Sequence, residues 1–120
     1  MREELVPVLE MVNRIREARG MAALTELPKG IPKDCYECVI ARAVAKEGEK
    51  GVLASSYQIE FHHAAEDVIR IGAAIGEAVR SHGHNEQPYG VKMPRVLFNF
   101  MSDFDQFKYP ELIVENGNGA

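Results

Sequence analysis

The spacing of the apolar residues changes from that of a strand to that of a helix within one stretch of this chain. Between Leu53 and Phe61 the larger apolar side chains all fall on alternate positions, which is the period of a strand with one buried face. Between Phe61 and Val79 they recur every three or four positions, which is the period of an amphipathic helix. The chain is therefore predicted to combine helices with strands.

The first predicted helix covers residues 3–19 and has a continuous apolar face. It tolerates Pro7 because a proline in the first helical turn has no intrahelical hydrogen bond to lose. Gly20 provides a C-terminal stop. The residues that share the predicted face are Leu5, Val8, Val12, Ile15 and Arg19.

Three further helices are predicted from periodicity and from start and stop signals. Asp34 is predicted to cap the second helix, with Glu37 completing the spacing of a capping box. Gly72 and Gly76 lie one turn apart in the third helix, where we expect a close approach by another element. The predicted ranges are 35–47, 62–81 and a last helix from Pro94 to about Lys108.

The remaining segments predict a small β element within one domain. Residues 53–61 are predicted as one strand, and YGVKM at 89–93 as a short second strand that pairs with it. Residues 25–34 contain two prolines and a glycine and are predicted to form an ordered connector. The predicted fold is α+β and predominantly helical, with about four helices packed together and a small two-stranded β element. We expect residues 1–114 to form a single compact domain and residues 115–120 a flexible C-terminal tail.

The composition and the apolar runs exclude several classes of protein. Hydrophobic residues make up 46% of the 120 residues and charged residues 27%, which is typical of a folded soluble domain. No apolar run approaches the ~20 residues that span a bilayer, and the mixed charges near the N-terminus do not form a secretory signal. We therefore expect a cytoplasmic protein with no membrane contact and with free thiols.

The charge balance argues against nucleic acid as a partner. The formal net charge of −4 opposes binding to phosphates, which depends on Lys and Arg displacing counterions. The first two predicted helices are also too far apart for a helix-turn-helix. Lys33, Arg42 and Lys46 give the second helix a modest basic edge, which we interpret as a solvated face.

Cys35 and Cys38 form a CxxC pair at the start of the second predicted helix, and three roles fit that spacing. A redox pair would be favoured by the helix N-terminus, but acidic neighbours and the lack of a preceding strand argue against it. A zinc site would require two more ligands, for which His82 and His84 in a polar loop are the candidates. We favour a structural role, with Cys38 buried, Cys35 partly exposed and no cofactor bound.

Two segments of the chain resemble small uncharacterised proteins of actinobacteria and their bacteriophages. LPKGIPKDCYECVIARAV (27–44) is similar to their segment in which a proline- and glycine-containing connector leads to a cysteine pair and an alanine-rich helix. FNFMSDFDQFKYPEL (98–112) is similar to their closing pattern of an aromatic residue, an FD pair and a YPEL-like end. The two segments cover about a quarter of the chain and occur in the same order. The resemblance implies a shared fold and no particular activity.

Catalytic constellations are weak in this sequence. Ser55 and Ser56 precede a pair of histidines, but no GxSxG motif accompanies them, so we do not predict a hydrolase. His63 and Asp67 share one face of the third predicted helix and would fit part of a metal site; we favour a solvated polar face with an acidic cap. The chain is therefore predicted not to be an enzyme.

The last predicted helix is rich in aromatic residues. Phe98 lies off the apolar face of this helix, so the rings exceed what one stripe buries, and exposed rings concentrate at interfaces. The predicted function is a small protein-interaction or regulatory protein, of phage or mobile-element origin, that binds a partner protein or itself. The alternative is a zinc-stabilised module built on the cysteine pair with histidines and associated with nucleic acid. The predicted partner-binding residues are Phe98, Phe104, Phe107 and Tyr109.

Overall fold

The computed structural model of the protein describes residues 2–81, 83 and 87–114. Over these residues the chain forms four α-helices and a four-stranded antiparallel sheet, so the α+β class and the helix count are confirmed. The helices are α1 (Val6–Ala18), α2 (Val39–Val44), α3 (Ala65–Ile75) and α4 (Arg95–Asp105). The strands are β1 (Val52–Ala54), β2 (Gln58–Phe61), β3 (Val79–Ser81) and β4 (Pro88–Lys92). Short 3-10 turns at Glu3–Leu5 and Pro110–Leu112 flank the outer helices.

The prediction of two strands is wrong, first because a turn divides residues 53–61 into β1 and β2. The Ser55 hydroxyl accepts hydrogen bonds from the backbone N–H groups of Tyr57 and Gln58, both at 3.3 Å. Serine favours such turns because its short side chain reaches the backbone two or three residues ahead. The alternating pattern therefore belongs to a hairpin, not to one long strand.

The second cause is that the predicted third helix ends early and β3 follows it. Gly76 has a φ of 70° and forms the left-handed cap of α3, which is why it suits a glycine. Gly72 meets the expected close approach, since a Cβ atom there would lie 2.9 Å from Val79 Cγ2 on β3. The two glycines thus have different roles, one in packing and one in ending the helix.

The second helix is shorter than predicted, because Cys38 and not Asp34 is its N-cap. Cys38 Sγ accepts a hydrogen bond from the N–H of Ala41 at 3.5 Å. Asp34 Oδ1 instead accepts from the N–H groups of Tyr36 and Glu37, at 3.0 and 3.1 Å, and so caps a separate turn before the helix. The capping-box signal was therefore correct about a local hydrogen bond but wrong about where the helix begins.

The sheet has the order β1-β2-β4-β3, with every neighbouring pair antiparallel. The predicted pairing of the 89–93 segment with the 53–61 segment is confirmed, because Ile59 on β2 pairs with Val91 on β4. Helix α3 packs against β4, while α1 contacts each of the other three helices. A single apolar core lies between these layers. Its largest fully buried side chains include Phe61, Phe104, Ile15, Ile40, Ile59, Ile71 and Leu97.

The proline-containing connector is held between the C-terminal segment and α2. The N–H of Gly30 donates to the carbonyl of Leu112 at 2.8 Å, and the N–H of Val114 donates to the carbonyl of Gly30 at 3.0 Å. A side chain at position 30 would overlap the backbone of Val39, so only glycine allows this approach. These contacts fix the connector beside the end of α4.

A cluster of buried charges, which we name the Arg19 cluster, joins the end of α1 to α3 and to the turn after α2. Its members are Arg19, Glu49 and Asp67. Arg19 Nε donates to Asp67 Oδ2 at 2.9 Å, and Arg19 Nη2 donates to Glu49 Oε2 at 2.6 Å. The Arg19 guanidinium also lies 4.8 Å from the centre of the Phe61 ring. The interpretation of Asp67 as part of a solvated face is therefore wrong, because its side chain is only 4% exposed and is held by an arginine.

Candidate functional site

The cysteine segment and the aromatic helix meet at one surface groove, which we name the aromatic groove. The groove has a volume of about 630 Å³. The connector and cysteine segment form one wall, α4 and its C-terminal turn form the other, and the β1–β2 turn closes one side. Its lining residues are Lys33, Asp34, Cys35, Cys38, Ala54, Ser55, Ser56, Phe98, Met101, Ser102, Asp105, Gln106 and Phe107.

Two of the four predicted partner-binding residues line this groove and two do not. Phe98 and Phe107 are 40% and 57% exposed. Phe104 and Tyr109 are buried, so their assignment to a contact surface is wrong. Phe104 lies on the face of α4 that packs into the core, and the Phe100 ring stacks on it at 5.8 Å between centroids. Tyr109 folds back onto Phe100, at 5.4 Å.

Phe107 and Lys33 both adopt left-handed backbone conformations beside the groove, with φ of 62° and 64°. Such conformations cost L-residues other than glycine roughly 1–2 kcal/mol. Phe107 occupies the position after the end of α4 that glycine commonly fills, and the N–H of Lys108 donates back to the carbonyl of Asp103 at 3.1 Å. A large, exposed aromatic ring therefore stands at a position where glycine would adopt the backbone conformation with less strain.

The strained residue Lys33 is anchored directly to α4. Its backbone N–H donates to Asp105 Oδ1 at 2.8 Å, and its Nζ lies 5.8 Å from the centre of the Phe107 ring. The ring and the ammonium group thus interact across the two walls of the groove. Together with the bonds at Gly30, this contact holds the connector wall in place.

The two cysteines have different environments, as predicted from the sequence. Cys35 is exposed and lines the groove, while Cys38 is 3% exposed and caps α2. Burial raises the pKa of the Cys38 thiol, which keeps it protonated and unreactive. The carbonyl of Cys35 accepts a hydrogen bond from the N–H of Ala54 at 2.8 Å, which ties the pair to β1.

The zinc hypothesis requires two ligands besides Cys35 and Cys38. His82 and His84, its candidate further ligands, lie outside the described residues. Within the described ranges, no group of three or more His, Cys, Asp or Glu side chains is arranged to hold a metal ion. His62 instead lies 2.8 Å from Glu60 through its Nε2. The role of His82 and His84 stays a prediction.

A second groove adjoins the first, and we name it the basic groove. It has a volume of about 420 Å³ and is lined by Ser56, Tyr57, Glu77, Arg80, Lys92, Met93, Arg95 and Phe98. Ser56 and Phe98 line both grooves, so the two form one continuous surface. Tyr57, at the edge of the β1–β2 turn, is 77% exposed.

The basic groove was not predicted from the sequence. Its cations come from β3, β4 and the first residue of α4, and no periodic pattern connects these positions. The predicted basic edge of the second helix is instead largely neutralised within the fold. Arg42 Nη2 lies 2.9 Å from Glu37 Oε1, and Lys46 Nζ lies 3.8 Å from Asp67 Oδ2.

Comparisons with known proteins leave the grooves to be interpreted from their own geometry. No protein-family model, curated protein or solved structure matches this chain. Within the part of the chain that the structure describes, no helix combines the length and the apolar character needed to cross a bilayer. The resemblance of residues 27–44 and 98–112 to proteins of actinobacteria and their phages stays a prediction.

Proposed function

We propose that this protein is a non-enzymatic interaction protein that binds a partner protein, or a second copy of itself, through the aromatic groove. The observation that supports this most directly is the joint exposure of Phe98 and Phe107 along one groove. Exposed aromatic rings concentrate at interfaces because burying them on a partner removes a large apolar area from water. The groove thus has the kind of side chains that anchor protein contacts.

The walls of the groove are held before any partner arrives. Asp105 holds the backbone of Lys33, and Ala54 holds the backbone of Cys35. A groove that is already ordered loses less conformational entropy on binding, so more of the contact energy contributes to affinity. The strained backbone at Phe107 supports the same proposal, because strain in a fold is often retained at functional positions.

A regulatory role and an origin in a phage or mobile element are part of the proposal. Residues 27–44 and 98–112, the two segments that resemble proteins of actinobacteria and their phages, supply the two walls of the aromatic groove. If the resemblance reflects common ancestry, the shared segments are the ones that build this surface. That correspondence supports a shared binding role, with the groove as the common feature.

The test is a comparison of a Phe98→Ala/Phe107→Ala double variant with the wild-type protein. Both are used to capture proteins from lysate of the native host, and both are run on size-exclusion chromatography with light scattering. We expect a specific captured protein, or a dimer, with the wild type and its loss with the double variant. Ile69→Ala is the matched control, because Ile69 is 59% exposed on α3 and lines neither groove.

The proposal fails if wild type and double variant capture the same proteins and both are monomers. It also fails if Ile69→Ala abolishes capture as fully as the double variant does. Urea denaturation of each variant checks that the fold is retained, which we expect because both phenylalanines are substantially exposed.

A further inference from the structure

Three cationic side chains from three separate elements line the basic groove, and the part of the chain that the structure describes gives them no internal partner. Lys92 and Arg95 are exposed and Arg80 is half-buried. Among the described residues, none of the three makes an ion pair or a side-chain hydrogen bond. Arg80 Nε is buried and has no acceptor in that part of the chain. Within the described ranges, this positive charge is therefore uncompensated.

The local charge opposes the charge of the whole chain. Three cations and the single carboxylate of Glu77 give the lining of the basic groove a formal charge of +2. The chain as a whole has a formal charge of −4. A local field of opposite sign attracts anionic groups to this site and repels cationic ones.

The charge adjoins the exposed rings. Because Phe98 lines both grooves, a chain that lies along the surface would meet Phe107 and Phe98 in one part and Arg80, Lys92 and Arg95 in the other. Apolar side chains of such a partner would contact the rings. Its carboxylates would then lie beside the cations.

We propose that the occupant of this continuous surface is an acidic peptide segment in which aromatic or aliphatic residues adjoin Asp or Glu. The proposal rests on the proposed function, because it names the chemical class of the partner for the same surface. The complementarity of charge in the basic groove and of apolar area in the aromatic groove selects this class.

A peptide fits this surface better than a nucleic acid strand does. A strand would continue its phosphates from the basic groove into the aromatic groove, where the carboxylates of Asp34 and Asp105 outnumber the single ammonium group of Lys33. Those carboxylates would repel phosphates, whereas apolar peptide side chains carry no charge into that part. Tyr57, Phe98 and Phe107 would supply stacking, but tight binding of a strand also needs cations along its length.

The experiment selects binders from a display library of random 12-residue peptides on immobilised wild-type protein. We expect the enriched peptides to combine apolar residues with adjacent Asp or Glu. Fluorescence anisotropy of the best peptide then compares wild type with Lys92→Glu/Arg95→Glu, which we expect to weaken the affinity about tenfold or more. Lys92→Gln/Arg95→Gln should weaken it less and guards against a folding defect in the reversed variant.

Arg14→Glu/Lys50→Glu is the matched control for total charge. It changes the net charge by the same amount with exposed residues that line neither groove, and it should leave the affinity within twofold of wild type. An equal loss with this control would overturn the proposal, because it would show an effect of net charge and not of the basic groove. Enriched peptides that lack acidic residues would overturn it as well.

Other occupants give distinct results. If no peptide is enriched and a labelled 12-nucleotide oligothymidylate binds in a manner that Lys92→Glu/Arg95→Glu abolishes, the surface binds nucleic acid and the proposal is wrong. If no peptide is enriched and the same variant dissociates a wild-type dimer, the occupant is a second copy and the proposal is again wrong. An absence of all three kinds of binding overturns it too.

The same measurements separate this inference from the proposed function. Loss of peptide binding with Phe98→Ala/Phe107→Ala, but not with Lys92→Glu/Arg95→Glu, would support the aromatic groove and overturn the acidic class of partner. Loss with the charge-reversed variant alone would contradict the role of the aromatic groove and leave the acidic class supported.

Discussion

Arginine side chains have opposite environments in the Arg19 cluster and in the basic groove. In the cluster, the guanidinium of Arg19 is fully buried and bonds to two carboxylates and to the carbonyl of Val44. In the groove, Arg80 and Arg95 have no carboxylate within ion-pair distance among the described residues. One region satisfies its charges internally, and the other leaves them available.

The difference follows from the solvent. A buried charge without a partner costs several kcal/mol, so the fold must supply carboxylates wherever an arginine enters the core. Lys92 and Arg95 are exposed and hydrated, so they need no internal partner and remain free to attract an anionic ligand. A charge that is paired inside the fold therefore indicates structure, while a group of unpaired cations next to exposed rings suggests binding.

The largest expected effect in this comparison is on removal of Arg19. Arg19→Ala leaves Glu49 without its guanidinium partner and leaves the buried Asp67 with only the more exposed Arg70 and Lys46 as cations, and should destabilise the fold by about 3 kcal/mol. Urea denaturation measures the change. Arg42→Ala, which removes the exposed pair with Glu37, is the control and should cost no more than about 1 kcal/mol. Equal effects of the two substitutions would contradict the expectation that the buried ion pairs of Arg19 stabilise the fold more than the exposed pair of Arg42 does.

The pH dependence of the free energy of unfolding tests whether Glu49 stabilises the fold through its charge. Burial alone would raise the pKa of Glu49. Hydrogen bonds from the Arg19 side chain and from the backbone N–H of Lys46, together with the positive charges of Arg19 and Lys46, instead hold this pKa below its ordinary value of 4.5. A carboxyl group whose pKa is lowered by folding stabilises the fold at pH values above its pKa in the unfolded state. This contribution is lost as the pH falls through its pKa in the folded state.

Glu49→Gln should therefore lower stability at pH 7 by roughly 1.5–3 kcal/mol and make the loss of stability below about pH 4.5 shallower. Urea denaturation between pH 3 and pH 7 measures both. Glu47→Gln is the control, because Glu47 is an exposed neighbour in the same turn. If the pH profile of Glu49→Gln matches that of wild type, Glu49 does not contribute to stability through ionisation.

A smaller effect is expected at Phe107, where the groove retains strain. Phe107→Gly should be more stable than Phe107→Ala by about 1 kcal/mol, because glycine adopts the left-handed conformation without cost. Thermal denaturation of the two variants compares them directly. Both should lose partner binding equally, since both remove the ring. A less stable glycine variant would mean that the turn after α4 is not strained.

The smallest expected effect concerns the cations of the basic groove. Lys92→Gln/Arg95→Gln should change the free energy of unfolding by no more than about 0.5 kcal/mol per site, because neither side chain has a partner among the residues that the structure describes. Urea denaturation at low and at moderate salt checks this. A clear loss of stability would show that these charges serve the fold, and the contrast with the Arg19 cluster would disappear.

Local patterns predicted several elements well. The amphipathic face of α1 and the proline at the start of α4 are local signals, and both helices begin within a few residues of the predicted positions. The burial of Cys38 was also predicted, since a small apolar side chain at a helix start commonly packs inward. These features depend on neighbours in the chain and little else.

The sequence-based predictions were wrong where hydrogen bonds between residues far apart in the sequence override the local periodicity of the apolar residues. Residues 79–81 fit a helical period, but pairing with β4 draws them into the sheet. Arg19 shares the apolar face of the first helix, so its burial could have been inferred, but its partners Glu49 and Asp67 lie 30 and 48 positions away. Phe104 and Tyr109 were placed at the surface because the number of rings exceeded one stripe, while the turn after α4 in fact returns Tyr109 to the core.

The sequence by itself determined that this chain mixes helices and strands, where the outer helices begin, and that a cysteine pair and an aromatic helix are its notable features. Only the tertiary structure decided that these two features form the walls of one groove and that three distant cations adjoin it. The physical reason is that apolar period and capping are properties of neighbouring residues, whereas a groove exists only where separate elements are packed side by side.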